Sequence, residues 1–130
     1  MATARDPDPR RQRAERGGRR AETLAAWYLR LKLYRVIARR YRTPAGEIDL
    51  IVRRGRTIVF VEVKQRADAD AGLEAVTATA RRRIARAAGH WIAAHPAAEG
   101  YDRRFDVVVA MPGLRLHHLQ AAFDGEGRPW

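Results

Sequence analysis

The chain has no cysteine, and that one absence removes disulfide frameworks, thiolate zinc sites and thiol nucleophiles together. Its chemistry must come from oxygen and nitrogen groups. Long hydrophobic runs are missing too. The longest, Leu24 to Leu29, is six residues, far short of the roughly 20 that a membrane-spanning helix needs. No apolar stretch of signal-peptide length follows the charged N-terminus, so the expectation is a cytoplasmic protein with no membrane association. No fixed-period repeat is visible. Lysine is scarce: only Lys32 and Lys64 occur among 26 basic residues, the rest being arginine.

What is abundant is positive charge. The 26 basic residues face 15 acidic ones, a net +11 over 130 residues. Residues 1–20 hold seven arginines and three acids, so the remainder of the chain is basic in its own right. Such a balance favours a polyanionic partner through phosphate contacts and counterion release. A chain of this length fits one domain that hides roughly two-thirds of its unfolded surface.

Residues 1–17 contain Pro7, Pro9 and Gly17, alternate in charge and offer little to bury, which reads as a disordered basic arm before a domain at 18–124 and a short tail at 125–130. From Arg19 to Leu33, Ala21, Leu24, Ala25, Tyr28 and Leu31 recur at helical spacing, with Glu22 on the flank of that stripe. Tyr34–Arg42 alternates as a strand. The strands Glu47–Arg53 and Thr57–Gln65 are joined by a short turn around Arg54 and Gly55, a hairpin signal. The stripe Leu73, Val76, Ala80, Ile84, Ala87, Ala88 and Trp91 predicts one long second helix ending near His95, before Pro96. Arg104–Met111 and a short Leu114–Leu119 complete the order α-β-β-β-α-β-β, a mixed sheet packed with helices.

The hairpin carries the chemistry. Strand alternation puts Ile58, Phe60, Glu62 and Lys64 on one face and Val59, Val61 and Val63 on the other. A carboxylate and an ammonium inside an apolar strand are costly unless they serve as a pair or a site. A turn centred on Arg54 and Gly55 sets Asp49 opposite Phe60 and Glu47 opposite Glu62. Glu47, Asp49, Glu62 and Lys64 then share one face, with Asp49 diagonal to Glu62. Taken singly, each has an ordinary reading: a surface Glu47, a Glu62 salt bridge to Lys64, an Asp49 bonded to a turn. Four on one face, with valines filling the other, point instead to a site. Two facing carboxylates repel unless something positive lies between them. Mg²⁺ or Mn²⁺ answers that need, with Lys64 orienting or activating water or offsetting phosphate charge, Glu22 a further oxygen donor and Glu47 tuning the group.

These residues resemble a known pattern. Asp49 followed by Glu62, Val63 and Lys64 is similar to the D…E-x-K core of the PD-(D/E)XK, or restriction-endonuclease-like, superfamily. More closely, the chain resembles the bacterial YraN family, related to archaeal Holliday junction resolvases. The match covers residues 18–124. It rests on Gly18 to Glu22 with Ala25, Tyr28 and Leu29; on Gly46-Glu47-Ile48-Asp49-Leu50-Ile51; on Val59 to Lys64 with Arg66; on Val76, Ile84 and Trp91; and on Arg104 to Val108. The resemblance implies a central mixed β-sheet flanked by helices, Glu22, Asp49 and Glu62 as metal ligands, and Lys64 as the catalytic lysine. It also implies a DNA rather than an RNA partner and a homodimer. Relatives often carry a lysine where this chain has Ala80 and a threonine where it has Gln65.

Arg81, Arg82, Arg83 and Arg86 lie off the apolar stripe of the second helix and read equally as a nucleic-acid-binding grip or as a solvated face. His90, His95, His117 and His118 show no metal-ligand spacing, Trp27 and Trp91 read as core or interface, and Asp106 as structural. The function expected is a metal-dependent endonuclease on structured DNA. The alternatives are a non-catalytic nucleic-acid-binding or repair-accessory module of the same fold, and a protein-interaction subunit for an acidic partner.

Overall fold

The computed structural model describes residues 9–129, with side-chain surroundings from Gly18 onward. Helix α1 (Pro9–Leu31) precedes strands β1 (Arg35–Thr43), β2 (Gly46–Arg54) and β3 (Thr57–Gln65). Helices α2 (Ala69–Ala75) and α3 (Ala78–Ala94) and a single 3₁₀ turn (Pro96–Ala98) lead to β4 (Asp102–Met111) and β5 (Arg115–Phe123). The strands form one mixed sheet in the order β1-β2-β3-β4-β5. Every neighbouring pair is antiparallel except β3 and β4, which the α2–α3 crossover makes parallel. The expected α/β class, a mixed sheet flanked by helices, is what forms. No helix among the described residues is long and apolar enough to cross a membrane.

Both faces of the sheet are covered. Ala25, Ala26 and Leu29 of α1 pack on Leu50, Val52, Val59, Val61 and Val108. On the other face Ile84, Ala87, Ala88 and Trp91 of α3 pack on Ile51, Ile58, Phe60, Phe105, Val107 and Val109. This explains why β3 reads as a near-continuous apolar run: its residues from Ile58 to Val61 are buried on alternating sides.

Four expectations change. The arm at 1–17 gives way to helix from Pro9 on, while residues 1–8 lie outside the described residues. Proline suits a first helical turn, where its missing N–H has no partner to lose. The buried face of α1 is Ala21, Glu22, Ala25, Ala26 and Leu29, and Leu31 points to solvent. Small alanines bring the helix close to the sheet, so its buried face is not the stripe of its largest side chains. The single long helix is two, because Thr77 Oγ1 accepts the Ala80 N–H at 3.2 Å and starts a new helix. Val76, in the break, is still buried, which is why the apolar stripe ran through it.

The tail at 125–130 is instead folded back on α3. Asp124 Oδ1 accepts the N–H groups of Glu126 and Arg128, both at 2.9 Å, and Pro129 bridges to Phe123. Arg81 Nε donates to Gly127 O at 2.9 Å. Gly127, at φ +80, lies so close to α3 that an added Cβ would stand 2.8 Å from Arg82 N. Trp130 lies outside the described residues.

On the α1 face one buried carboxylate ties three elements together. Asp106, fully buried, accepts from Arg104 Nε at 2.8 Å and Nη2 at 2.9 Å, from His118 Nε2 at 2.7 Å and from the Ala121 N–H at 3.0 Å. Arg104 also donates to the Tyr34 hydroxyl, and His118 meets the Tyr28 ring edge-on at 5.7 Å. Burial alone would raise the Asp106 pKa, but the hydrogen bonds of His118, Arg104 and Ala121 outweigh it and hold the value below the usual range. A lowered folded value stabilises the fold above about pH 4, and that contribution is lost as pH falls through it. Asp106→Ala should cost about 3–5 kcal/mol in urea unfolding at neutral pH, the range for breaking a buried ion pair. The acid-side loss of stability should flatten in the variant; an unchanged acid profile would contradict this role.

Candidate active site

The β2–β3 ladder runs from Arg54–Thr57 to Leu50–Val61 and ends there. Beyond it, Val63 N–H donates to Asp49 Oδ2 at 2.8 Å. A side-chain oxygen thus takes a backbone donor at the point where the strands part, and it brings the Asp49 carboxylate alongside that of Glu62. The register differs from the expected one by two residues: Ile51, not Asp49, stands opposite Phe60. The turn is Gly55–Arg56, with Gly55 in the left-handed region at φ +59. A shift of two preserves strand faces and brings Asp49 closer to Glu62 than a diagonal would. Alternation breaks beyond Leu50, however: Ile48 packs with Ile51 on the α3 face while Leu50 packs on the α1 face, so the expected shared face does not extend to Glu47.

Glu62 is mostly buried, and Lys64 Nζ lies 3.8 Å from its Oε1. Burial pushes the Glu62 carboxyl up, and the hydrogen bond and charge of Asp49 push it further. Lys64 and Arg83 pull it back only in part, leaving it well above the ordinary carboxylate range. Arg83 reaches this group from α3 by lying across Gly46: an added Cβ there would stand 2.8 Å from both Cγ and Cδ of Arg83. Gly46, at φ +143, serves as the path for that side chain. The Thr43 hydroxyl shapes the turn before it, donating to Gly46 O at 2.8 Å and accepting the N–H groups of Ala45 and Gly46.

The remaining expected residues are placed differently. Glu47 is at the rim, 3.5 Å from Arg42 Nε in an exposed pair, of a kind that contributes little to stability. Glu22 is buried, but on the α1 face, across the sheet from the side that Ile58, Phe60 and α3 occupy. Both its oxygens are taken by Arg40: Nε lies 3.0 and 3.1 Å from Oε1 and Oε2, and Nη2 lies 3.0 Å from Oε2. Among the described residues no group of three His, Asp or Glu is gathered as a metal site. Asp49, Glu62 and Lys64 are brought together; Glu22 is not.

Of the four helix arginines, the exposed Arg83 lies across Gly46 with its charge felt at Glu62, while Arg81 is committed to Gly127 O and, at 2.7 Å, to Val76 O. Arg82 and Arg86 are exposed. Sequence reasoning missed Arg40. Its signal was absent, because only the paired strands reveal that it stands across from Asp49.

The donor set suits a hard divalent cation. Asp49 and Glu62 offer only oxygen, and burial together with the Asp49 carboxylate raises the affinity of Glu62 for a proton. A mixed sheet with helices on both faces and a carboxylate pair plus lysine on adjoining strands is consistent with the restriction-endonuclease-like class of α/β proteins. The chain belongs to UPF0102, whose family model, described as Uncharacterised protein family UPF0102, matches residues 21–110. It is 50% identical over 127 residues to a UPF0102 protein of Methylorubrum extorquens (strain PA1), covering 98% of this chain and 99% of that one. It is also 53% identical over 110 residues to a UPF0102 protein of Parvibaculum lavamentivorans, covering 85% and 83%.

A carboxyl whose folded pKa is raised stabilises the fold below about pH 4 and loses that contribution as pH rises through the raised value. Without divalent cations, Glu62→Gln should therefore become increasingly more stable than the parent as pH climbs from about 4 toward the raised value. Urea unfolding across that range checks it, and parallel profiles for the two proteins would refute the paired-carboxylate reading.

Proposed function

We propose that the protein is a metal-dependent endonuclease that hydrolyses phosphodiester bonds, with structured DNA as its favoured substrate. The observation that carries this reading is the convergence of Asp49, Glu62 and Lys64 at the point where β2 and β3 part. Asp49 and Glu62 would hold Mg²⁺ or Mn²⁺. The chemistry such an ion supplies is activation of water and neutralisation of charge on a phosphate.

The chain's own groups do the rest. Lys64, with Nζ 3.8 Å from Glu62 Oε1, meets an incoming phosphate or orients the attacking water. Arg83, laid across Gly46 beside the pair, offers a planar guanidinium to a phosphate oxygen. The basic surface, Arg82 and Arg86 included, supplies sequence-independent attraction to a nucleic-acid backbone.

A second reading, a nucleic-acid-binding or repair-accessory module without turnover, draws support from Glu22. Its carboxylate is engaged by Arg40 instead of standing with Asp49 and Glu62. Cleavage assays separate the two. On a panel of duplex, flap and four-way DNA and matched RNA, the parent with Mg²⁺ or Mn²⁺ should cut DNA. Chelation, Glu62→Ala and Lys64→Ala should each abolish cutting with the circular dichroism spectrum unchanged. Salt-sensitive binding with no cleavage on any substrate would favour the accessory module, and cleavage that survives Glu62→Ala would sink the assigned site.

A further inference from the structure

Arg40 stands where the backbone does not favour an arginine. Its φ is +51, in the left-handed region that glycine and asparagine enter readily and long side chains avoid. The β1–β2 pairing also skips it, with the register unchanged on either side. Arg39 pairs with Leu50 and Tyr41 with Ile48, and the position left between them on β2 is Asp49. The strained residue and the site carboxylate therefore face one another across two strands.

The side chain is clamped on one edge only. Nε and Nη2 donate to Glu22, while Nη1 has no hydrogen bond among the described residues and the side chain keeps 36% of its surface. Glu22, Glu47 and Asp49 all favour its charged form, Glu22 most strongly. Leu33, Leu114 and Ala121 share the left-handed region; of these four residues Arg40 alone carries a charged side chain, and here the backbone turn aims it.

We propose that Arg40 is a phosphate-binding residue of the Asp49–Glu62 site and that Glu22 is its positioning residue rather than a metal ligand. The ligand is the phosphodiester backbone of a nucleic acid. The clamp holds the Nε–Nη2 edge and leaves Nη1 to a phosphate oxygen. Three carboxylates around one cation would add negative charge where a polyanion must approach. Two carboxylates flanked by a fixed guanidinium do not. The inference rests on the nuclease reading and deepens it.

The test uses the full chain, Glu22→Gln and the double variant Glu22→Gln/Arg40→Asn. Asparagine tolerates the left-handed backbone, and glutamine leaves no buried charge without a partner, so the double variant should fold. Mn²⁺ affinity is measured by calorimetric titration. Binding to a fluorescein-labelled four-way DNA junction, and to a duplex of equal length, is followed by anisotropy over about 50–300 mM NaCl.

Glu22→Gln should bind Mn²⁺ within about twofold of the parent. The double variant should keep its melting temperature and Mn²⁺ affinity, bind DNA roughly five- to tenfold more weakly, and lose about one from the log–log salt slope. Parental affinity and slope in the double variant would overturn the role of Arg40. Loss of Mn²⁺ binding in Glu22→Gln would overturn that of Glu22 and return it to the metal. A parent protein that binds neither Mn²⁺ nor DNA would remove the nuclease reading and this inference together, so the parent arm and the variant arms report on different claims.

Discussion

The hydrogen bond from Val63 N–H to Asp49 Oδ2 is the constraint on which the site depends. On its other side β3 is held by β4 in unbroken parallel register from Thr57 to Gln65, so Glu62 and Lys64 ride on a rigid rail. On the β2 side the backbone ladder stops at Val61, and a donor left there without a partner would be costly. Asp49 resolves that cost with a side chain, and in doing so brings its carboxylate to Glu62. The backbone's need for an acceptor thus assembles two like charges that would otherwise stay apart.

Two carboxylates one step apart in register, Asp106 fully buried and Glu62 mostly so, show the difference between a structural acid and a chemical one. Val61 pairs with Asp106, and Glu62 with Val107, and the two acids lie on opposite faces of the sheet. Asp106 collects Arg104, His118 and a backbone N–H, and its proton affinity falls. Glu62 collects another carboxylate, a lysine at 3.8 Å and the more distant charge of Arg83, and its proton affinity rises. The more deeply buried acid has the lowered proton affinity, so the partners and not the burial set the sign. A saturated acid stabilises the fold, while an undersupplied one is open to a proton, a cation or a substrate.

The same contrast explains how much could be read from the sequence. Periodicity of two located β2 and β3 to within a residue, and a period of 3.6 located both helical regions, because those patterns follow from local geometry. The shared face of Asp49, Glu62 and Lys64 was legible for the same reason: even an error of two in the hairpin register preserves it. The break at Thr77 was hidden by the burial of Val76, and the closeness of α1 by the smallness of its alanines. Arg40, Arg83 across Gly46, and Gly127 against α3 are contacts between segments far apart in sequence. No local pattern encodes them, and glycine at Gly46 and Gly127 was the one visible trace.

The placement of Glu22 follows from topology rather than from its own chemistry. It sits on the helix that covers the Val59 and Val61 face, whereas Glu62 and Lys64 follow Phe60 toward the α3 face; Arg40, which Glu22 holds, feels the charge of Asp49 as well. Arg40 lies on β1, an edge strand of the sheet. The left-handed turn of its backbone occurs opposite Asp49, where β1 and β2 pair on either side but not between. Arg83 approaches the same pair from the α3 layer across a residue with no side chain. Guanidinium groups therefore come toward the carboxylates from both layers of the fold. A site built on two acids can attract a polyanion only if such groups offset its field, and in this fold the sheet edge and a glycine are the two openings through which they reach it.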